Sequence, residues 1–259
     1  MFSASNNVER GSPSLVEALR HHRVVYISPR FDDIAFSLGI TARSIGSGTI
    51  LNLFTRTRHI VNPALARGRA WTTEEVVAQR DGEDARFAAA IGLDRRSLDL
   101  DEPALRGRRH RDPGGVADDR GQLSPVLARA LENAAGDSRQ PRALFCPAAI
   151  GEHVNHRATL EEVVDLLPVL TRSWRVFFYE DLPYASRWWK RQNGLRRLRR
   201  RFAGRAIRHV LWLGKRGDDK LALVALYESQ HRRAPPSRRF SPWTTDFAPP
   251  HEAFWEFPP

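Results

Sequence analysis

Arg23-Val-Val-Tyr-Ile-Ser28, then Pro29-Arg30-Phe31-Asp32-Asp33, then Ile34-Ala-Phe-Ser-Leu-Gly-Ile-Thr-Ala-Arg-Ser44, then Gly48-Thr-Ile-Leu-Asn-Leu-Phe54 follow one another near the start of the chain. The first and last are short, apolar and β-branched, which is the signature of buried strands. The segment from Ile34 to Ser44 has the length and composition of a helix. It starts beside two carboxylates, which the helix dipole favours at that end. Strand, loop, helix and strand make a βαβ unit, and such a unit implies a parallel sheet with a right-handed crossover.

The pattern repeats outward. Thr72-Thr73-Glu74-Glu75 opens a helix with an N-cap and continues to about Ile91, where Gly92 stops it. Ser97-Leu-Asp-Leu100 reads as a strand, and residues 102–122, rich in Arg, Asp, Gly and Pro, read as a long surface loop. Residues 123–135 are predicted helical, and Arg142-Ala-Leu-Phe-Cys146 is predicted to be a buried strand. A helix is expected up to about Leu170, and Arg175-Val-Phe-Phe-Tyr179 is a further strand. The expected fold class is therefore α/β, a three-layer sandwich around a mostly parallel, Rossmann-like sheet. Ligands of such sheets sit at the carboxyl ends of the strands. Asp32-Asp33 and His153…His156 both lie just past predicted strands, so the two clusters are expected on one rim within one pocket.

The chain has 259 residues, enough for a full core, and a single cysteine, Cys146, which excludes an intramolecular disulfide framework and a Cys-based zinc finger. Cys146 is expected to be a small buried hydrophobe; a nucleophile paired with His153 is the alternative. The polar N-terminus has no apolar core of a signal peptide, and no apolar run is long enough to span a membrane, so the expected location is cytoplasmic. Net charge is +11, but only three of the 41 basic residues are lysines, an arginine bias that coding composition alone can produce. Nucleic acid is accordingly not favoured as a partner. Basic charge concentrates in residues 187–205, with Trp188, Trp189 and Phe202 interleaved. That segment is either a solvated helix whose aromatic residues pack on the domain, or a basic helix that binds phosphate groups, an anionic membrane surface or nucleic acid.

Taken as chemistry, Asp32, Asp33, His153 and His156 could form a mixed nitrogen and oxygen metal site with a carboxylate left over as general base. They could equally be a helix cap and two partly exposed loop histidines. Four segments bear on that choice. Ser28-Pro29-Arg30-Phe31-Asp32-Asp33 resembles the Pro-His-x-Asp-Asp motif of the PIG-L/LmbE family of metal-dependent N-deacetylases. Gly151-Glu152-His153-Val154-Asn155-His156-Arg157 resembles the family's His-x-Asp-His-Arg motif. Tyr179-Glu-Asp-Leu-Pro-Tyr-Ala185 and Lys220…Tyr227-Glu-Ser-Gln230 match two further segments, in order and spacing, across roughly residues 20 to 231.

The resemblance implies a hydrolase that removes an N-acyl group from an amino sugar, a glycoconjugate or a related small molecule. It implies Asp33 and His156 as zinc ligands, Asp32 as general base and His153 as the residue that stabilises the oxyanion. It also implies an LmbE-like domain over residues 21–230; the polar residues 1–20 are expected to be a flexible N-terminus, and the Pro- and aromatic-rich tail at 231–259 to pack on the domain through Trp243, Phe247, Phe254 and Trp255 or to serve a partner contact. The sequence departs from the pattern twice. Arg30 stands where the third zinc ligand, a histidine, is usual, and Asn155 stands where aspartate is usual. A guanidinium has no lone pair to offer a metal. Three outcomes are open: Arg30 pairs with Asp32 or Asp33 in a metal-free pocket, another histidine such as His59 or His110 supplies the ligand, or Arg30 swings aside and metal binds weakly. The metal-free pocket would leave a non-catalytic, ligand-binding protein as the alternative function.

Overall fold

The structure is a computed structural model that describes residues 8–10, 13–137, 139–203, 205–230 and 250–257. Its elements in chain order are β1 (Val8–Arg10), α1 (Pro13–Leu19), β2 (Arg23–Ser28), α2 (Asp33–Ile45), β3 (Thr49–Asn52), α3 (Pro63–Ala66), α4 (Thr73–Ile91) and β4 (Asp94–Ser97). They continue with α5 (Gly115–Leu123), α6 (Leu127–Ala135), β5 (Arg142–Pro147), α7 (Val154–Leu170), β6 (Trp174–Tyr179), α8 (Trp188–Arg201), β7 (Ile207–Trp212), α9 (Gly217–Ala225) and β8 (His251–Phe257).

The strands form one eight-stranded sheet in the order β1-β7-β8-β6-β5-β2-β3-β4. All pairings are parallel except those of β8, which runs antiparallel to both β6 and β7. The central strands are buried along almost their whole length, as strands covered on both faces must be. Their aromatic residues interlock at the centre: Phe145 stacks on Tyr26 at 5.3 Å and on Phe177 at 4.8 Å, and meets Phe254 edge-on at 5.2 Å.

From the adjacent pair β2 and β5 the chain moves outward in opposite directions, through α2 to β3 and through α7 to β6. Two right-handed crossovers in opposite directions put α2 and α7 on opposite faces of the sheet. The crevice between the ends of β2 and β5 is thus a topological switch point, where α/β sheets bind their ligands.

The helix from Thr73 opens as expected, with a capping box in which the Glu75 amide donates to Thr72 Oγ1 and the Thr72 amide to Glu75 Oε2. Four expectations need correction. The edge strand after α4 is Asp94–Ser97, which pairs with β3, rather than 97–100. Residues 102–122 are not a bare loop: Pro103–Arg106 forms a 3-10 turn and Gly115–Leu123 a helix. Ion pairs from Arg106 to Asp119 and from Arg120 to Glu162 and Asp165 supply what apolar periodicity does not. The N-terminal segment holds a helix from Pro13, with Leu19 in the core, and Val8–Arg10 pairs with β7; residues 1–7 lie outside the described residues.

The tail departs most. Residues 251–257 do not wrap the surface but form β8 inside the sheet, burying Phe254 and Trp255. Its polar residues disguise it, because each has a partner. Glu252 accepts from Lys220 Nζ (2.5 Å), and Glu256 accepts from Arg175 and His209. Trp243 and Phe247 lie outside the described residues.

In α8, Leu195, Leu198 and the following Phe202 face the core, whereas Trp188 and Trp189 stand 57% and 56% exposed. The two tryptophans precede the inward stripe, whose first place goes to Arg191. Glu180, just after β6, draws that guanidinium inward with contacts of 2.6 and 2.9 Å, and also accepts from Arg208 (3.1 Å) and Trp255 Nε1 (3.0 Å). Burial raises the Glu180 carboxyl, but Arg191 and Arg208 outweigh it and hold its pKa at about 2.

Glu180 therefore joins β6, β7, β8 and α8. Its folded pKa lies below the ordinary carboxylate value, so its contribution is complete above pH 4.5 and lost as pH falls through about 2. Glu180→Gln should destabilise the fold by roughly 3–5 kcal/mol in urea at pH 7, because two buried guanidinium groups lose their counter-charge. It should also flatten the loss of stability between pH 4.5 and 2.

Candidate active site

Asp32 and Asp33 enter the pocket from the turn between β2 and α2. The Asp33 carboxylate folds back over that turn and accepts the Arg30 backbone N–H at Oδ2 (2.8 Å). Opposite it, the loop after β5 passes through left-handed backbone at Ala149, Gly151 and Glu152 before α7 begins. Gly151 is required there, since a Cβ would come within 2.5 Å of the Tyr184 ring. The loop ends with His153 just before α7 and His156 in its first turn.

The four expected residues are brought together and are all buried. His156 Nε2 lies 3.3 Å from Asp33 Oδ2, and the His153 and His156 rings are 5.5 Å apart. Asp32 Oδ1 accepts from Arg80 Nη2 at 2.9 Å, and Arg80 also lies 3.7 Å from Glu102. His156 Nδ1 donates to Asp181 Oδ1 at 2.6 Å, while Asp181 Oδ2 accepts the Ile150 amide. That carboxylate fixes the imidazole so that Nε2 faces Asp33.

Arg30 meets the expectation that it pairs with an aspartate. Its Nη2 is 3.2 Å from Asp33 Oδ1. Burial raises the Asp33 carboxyl, but His156 and Arg30 outweigh it and hold it well below the usual range. Burial pulls His156 down, yet Asp33 and Asp181 together push it up to about 9. His153 goes the other way: burial, with Arg30 and His156 nearby, keeps its imidazole neutral.

The zinc that the motifs imply can be tested against these donors. Asp33 Oδ2 and His156 Nε2 are 3.3 Å apart. Two ligands of one tetrahedral zinc with bonds of about 2.0–2.1 Å have about that spacing. The third place, however, holds a guanidinium that binds Asp33 and has no free lone pair. His110 stacks on His153 at 5.4 Å, and burial lowers the His59 pKa against the opposing pull of Glu102. Among the described residues no group of three or more His, Cys, Asp or Glu is placed to hold a metal. The residues present do not fit a zinc centre.

Arg80 and Asp181 were not predicted. Asp181 lies in the quoted Tyr179…Ala185 segment, so a carboxylate close after a strand end was its available signal. Arg80 gave none, since it sits 48 residues from its partner on another helix. The Lys220…Gln230 segment lies behind the pocket. Tyr227 donates to Asp84, and Ser229 donates to Glu83 through both its amide and its hydroxyl. Cys146 is buried and unbonded to another cysteine.

The fold is that of solved deacetylases, and a curated relative is also a deacetylase. The chain is 31% identical over 184 residues to the 2'-N-acetylparomamine deacetylase of Streptomyces fradiae, covering 67% of this chain and 61% of that protein. It superimposes on the zinc-inhibited form of teicoplanin deacetylase with a TM-score of 0.63 at 18% identity, covering 90% of this chain and 97% of the other. The N,N'-diacetylchitobiose deacetylase of Pyrococcus horikoshii gives a TM-score of 0.51 at 13% identity, over 82% and 71% of the two chains. No protein-family model matches the chain. The chain is related to that 2'-N-acetylparomamine deacetylase, of whose length it spans 61%, and it shares its fold with the solved deacetylases. No helix among the described residues is long and apolar enough to cross a membrane.

Asp181→Asn should lower the His156 pKa from about 9, because it removes one of the two carboxylates that oppose burial. Histidine NMR titration reads this directly. An unchanged titration would show that Asp33 alone holds the imidazolium.

Proposed function

We propose that the protein is an N-deacetylase that hydrolyses the N-acyl group of an acylated amino sugar, with an acetylated aminoglycoside precursor of the paromamine type as the substrate class. The 31% identity to a 2'-N-acetylparomamine deacetylase carries this reading. It is supported by the placement of Asp32 and His153 at one switch-point crevice.

In this reading water adds to the acyl carbon and Asp32 takes its proton. Arg80 holds Asp32 Oδ1 and leaves the second oxygen for that transfer. The neutral His153 imidazole donates an N–H to the negative charge that develops on the acyl oxygen. Collapse breaks the C–N bond as the leaving nitrogen takes the proton from Asp32, and the products are the free amine and the carboxylic acid, whose remaining proton passes to solvent. Zinc has no step here, because the donors do not fit it.

A shallow pocket of about 120 Å³ adjoins the histidine loop, lined by Gly151, Glu152, Trp189, Lys190 and Asn193 among others. An exposed indole beside the Asn193 amide, the Glu152–Arg197 ion pair and the cations Arg111 and Lys190 suits a sugar ring, which presents C–H faces and hydroxyl edges. The exposed tryptophan of α8 is thus assigned to the outer part of the substrate, in preference to an anionic surface.

The test is release of acetate and primary amine from a panel of N-acetylated amino sugars and aminoglycoside precursors. Acetate is expected from at least one of them, and Asp32→Asn should lower kcat at least about 100-fold. No release from any member, by protein that melts cooperatively, would overturn the reading. Trp189→Ala should raise KM about tenfold with kcat nearly unchanged, the pattern of lost uniform binding.

A further inference from the structure

The two departures from the family pattern lie on the two segments that meet at the crevice, Arg30 just before α2 and Asn155 in the first turn of α7, and both change the charge there in the same direction. Arginine in place of a neutral histidine adds one positive charge at residue 30. Asparagine in place of aspartate removes one negative charge at residue 155. Together they shift the pocket by two units, the charge a divalent cation would have brought.

The geometry agrees with that substitution. Arg30 Nη2 binds the same carboxylate, Asp33, that His156 faces from the other side. Asp32 is likewise engaged by a guanidinium, that of Arg80. Both acidic residues that a cation would need are therefore already neutralised within the chain. The buried polar atoms left without a hydrogen-bond partner include Arg30 Nε, His153 Nδ1 and both amide atoms of Asn155, whereas His156 Nε2 has Asp33 Oδ2 at 3.3 Å. Arg30, His153, Asn155 and His156 are each more than nine-tenths buried. Unpartnered buried polar atoms of this kind are costly, and their occurrence on the two segments that meet at the crevice points to a ligand. The Arg30 and Asn155 nitrogens carry N–H groups, which suit an incoming oxygen acceptor, and the Arg30 guanidinium repels a cation.

We propose that Arg30 and Asn155 together replace the metal, and that the pocket is a metal-independent receptor for a small carboxylate. The class covers the acyl product of the proposed reaction and any small carboxylic acid that reaches the crevice. The inference rests on the deacetylase reading only in sharing its site, and carboxylate binding is measured without turnover. A carboxylate entering here meets the guanidinium of Arg30 and the imidazole of His153, and charge-assisted hydrogen bonds favour it.

Two titrations on the full chain test this. Zinc is titrated against a chromophoric chelator for wild type and for the double variant Arg30→His with Asn155→Asp. Wild type should remain substoichiometric after dialysis against zinc. The double variant should bind one zinc per chain, at least about 100-fold more tightly. Acetate binding, followed by carbon-13 NMR, should be at least about tenfold weaker in Arg30→Met than in wild type. Arg30→Lys, which keeps the charge, should lose less. One zinc per chain held by wild type would overturn the proposal, as would acetate that wild type does not bind, or that Arg30→Met binds equally well. The wild-type measurements stand whether or not a variant folds. Failure to release acetate from acylated sugars, with acetate binding intact, would remove the deacetylase reading and leave this one standing.

Discussion

Handedness is the constraint on which the arrangement depends. A right-twisted strand feeding a helix returns to its sheet in one sense only. Because the chain leaves β2 and β5 in opposite directions, the openings of α2 and α7 come to the same crevice from opposite faces. Everything chemical follows from that placement. Asp32 and Asp33 come with one helix, His153 and His156 with the other, and Asp181 arrives from the end of the neighbouring β6 to hold His156 in place.

A second layer of buried charge keeps these openings in register. Glu252 of β8 accepts the backbone N–H groups of Ile40 and Thr41 in the middle of α2 and the ammonium of Lys220 from α9. Glu83 and Asp84 of α4 are met by Ser229 and Tyr227 in the same way. Each carboxylate is buried with its hydrogen bonds satisfied, which is the condition for tolerating it in a core. The C-terminal motif thus acts as scaffolding for α2 and α4 rather than as chemistry.

The βαβ core was legible because β2, β3, β5 and β6 are buried on both faces and write their burial as unbroken apolar runs. The rim location of the two motifs followed from the ends of those runs. What escaped were elements held by charge. α5 is secured by Arg106 and Arg120, so its sequence shows no apolar stripe. β8 carries two glutamates and a histidine whose partners lie far away in the chain. Arg80 could not be connected with Asp32 from sequence, since only the folded packing of α4 against α2 brings them together. The exposure of Trp188 and Trp189 was hidden for a related reason: Glu180, on another element, decides that Arg191 turns inward instead.

The position of β8 bears on how the chain reaches this state. It separates β6 from β7, yet it is the described strand translated last. Until residues 251–257 leave the ribosome, β6 presents an open, hydrophobic edge of Val176, Phe177 and Phe178, a template for pairing with another nascent chain. Closing it requires contacts between residues distant in sequence, and such contacts form slowly. Yield in a heterologous host should therefore depend on the race between completing synthesis and self-association. The same late strand carries Glu252, so α2, and with it the pocket, settles only when the sheet is closed.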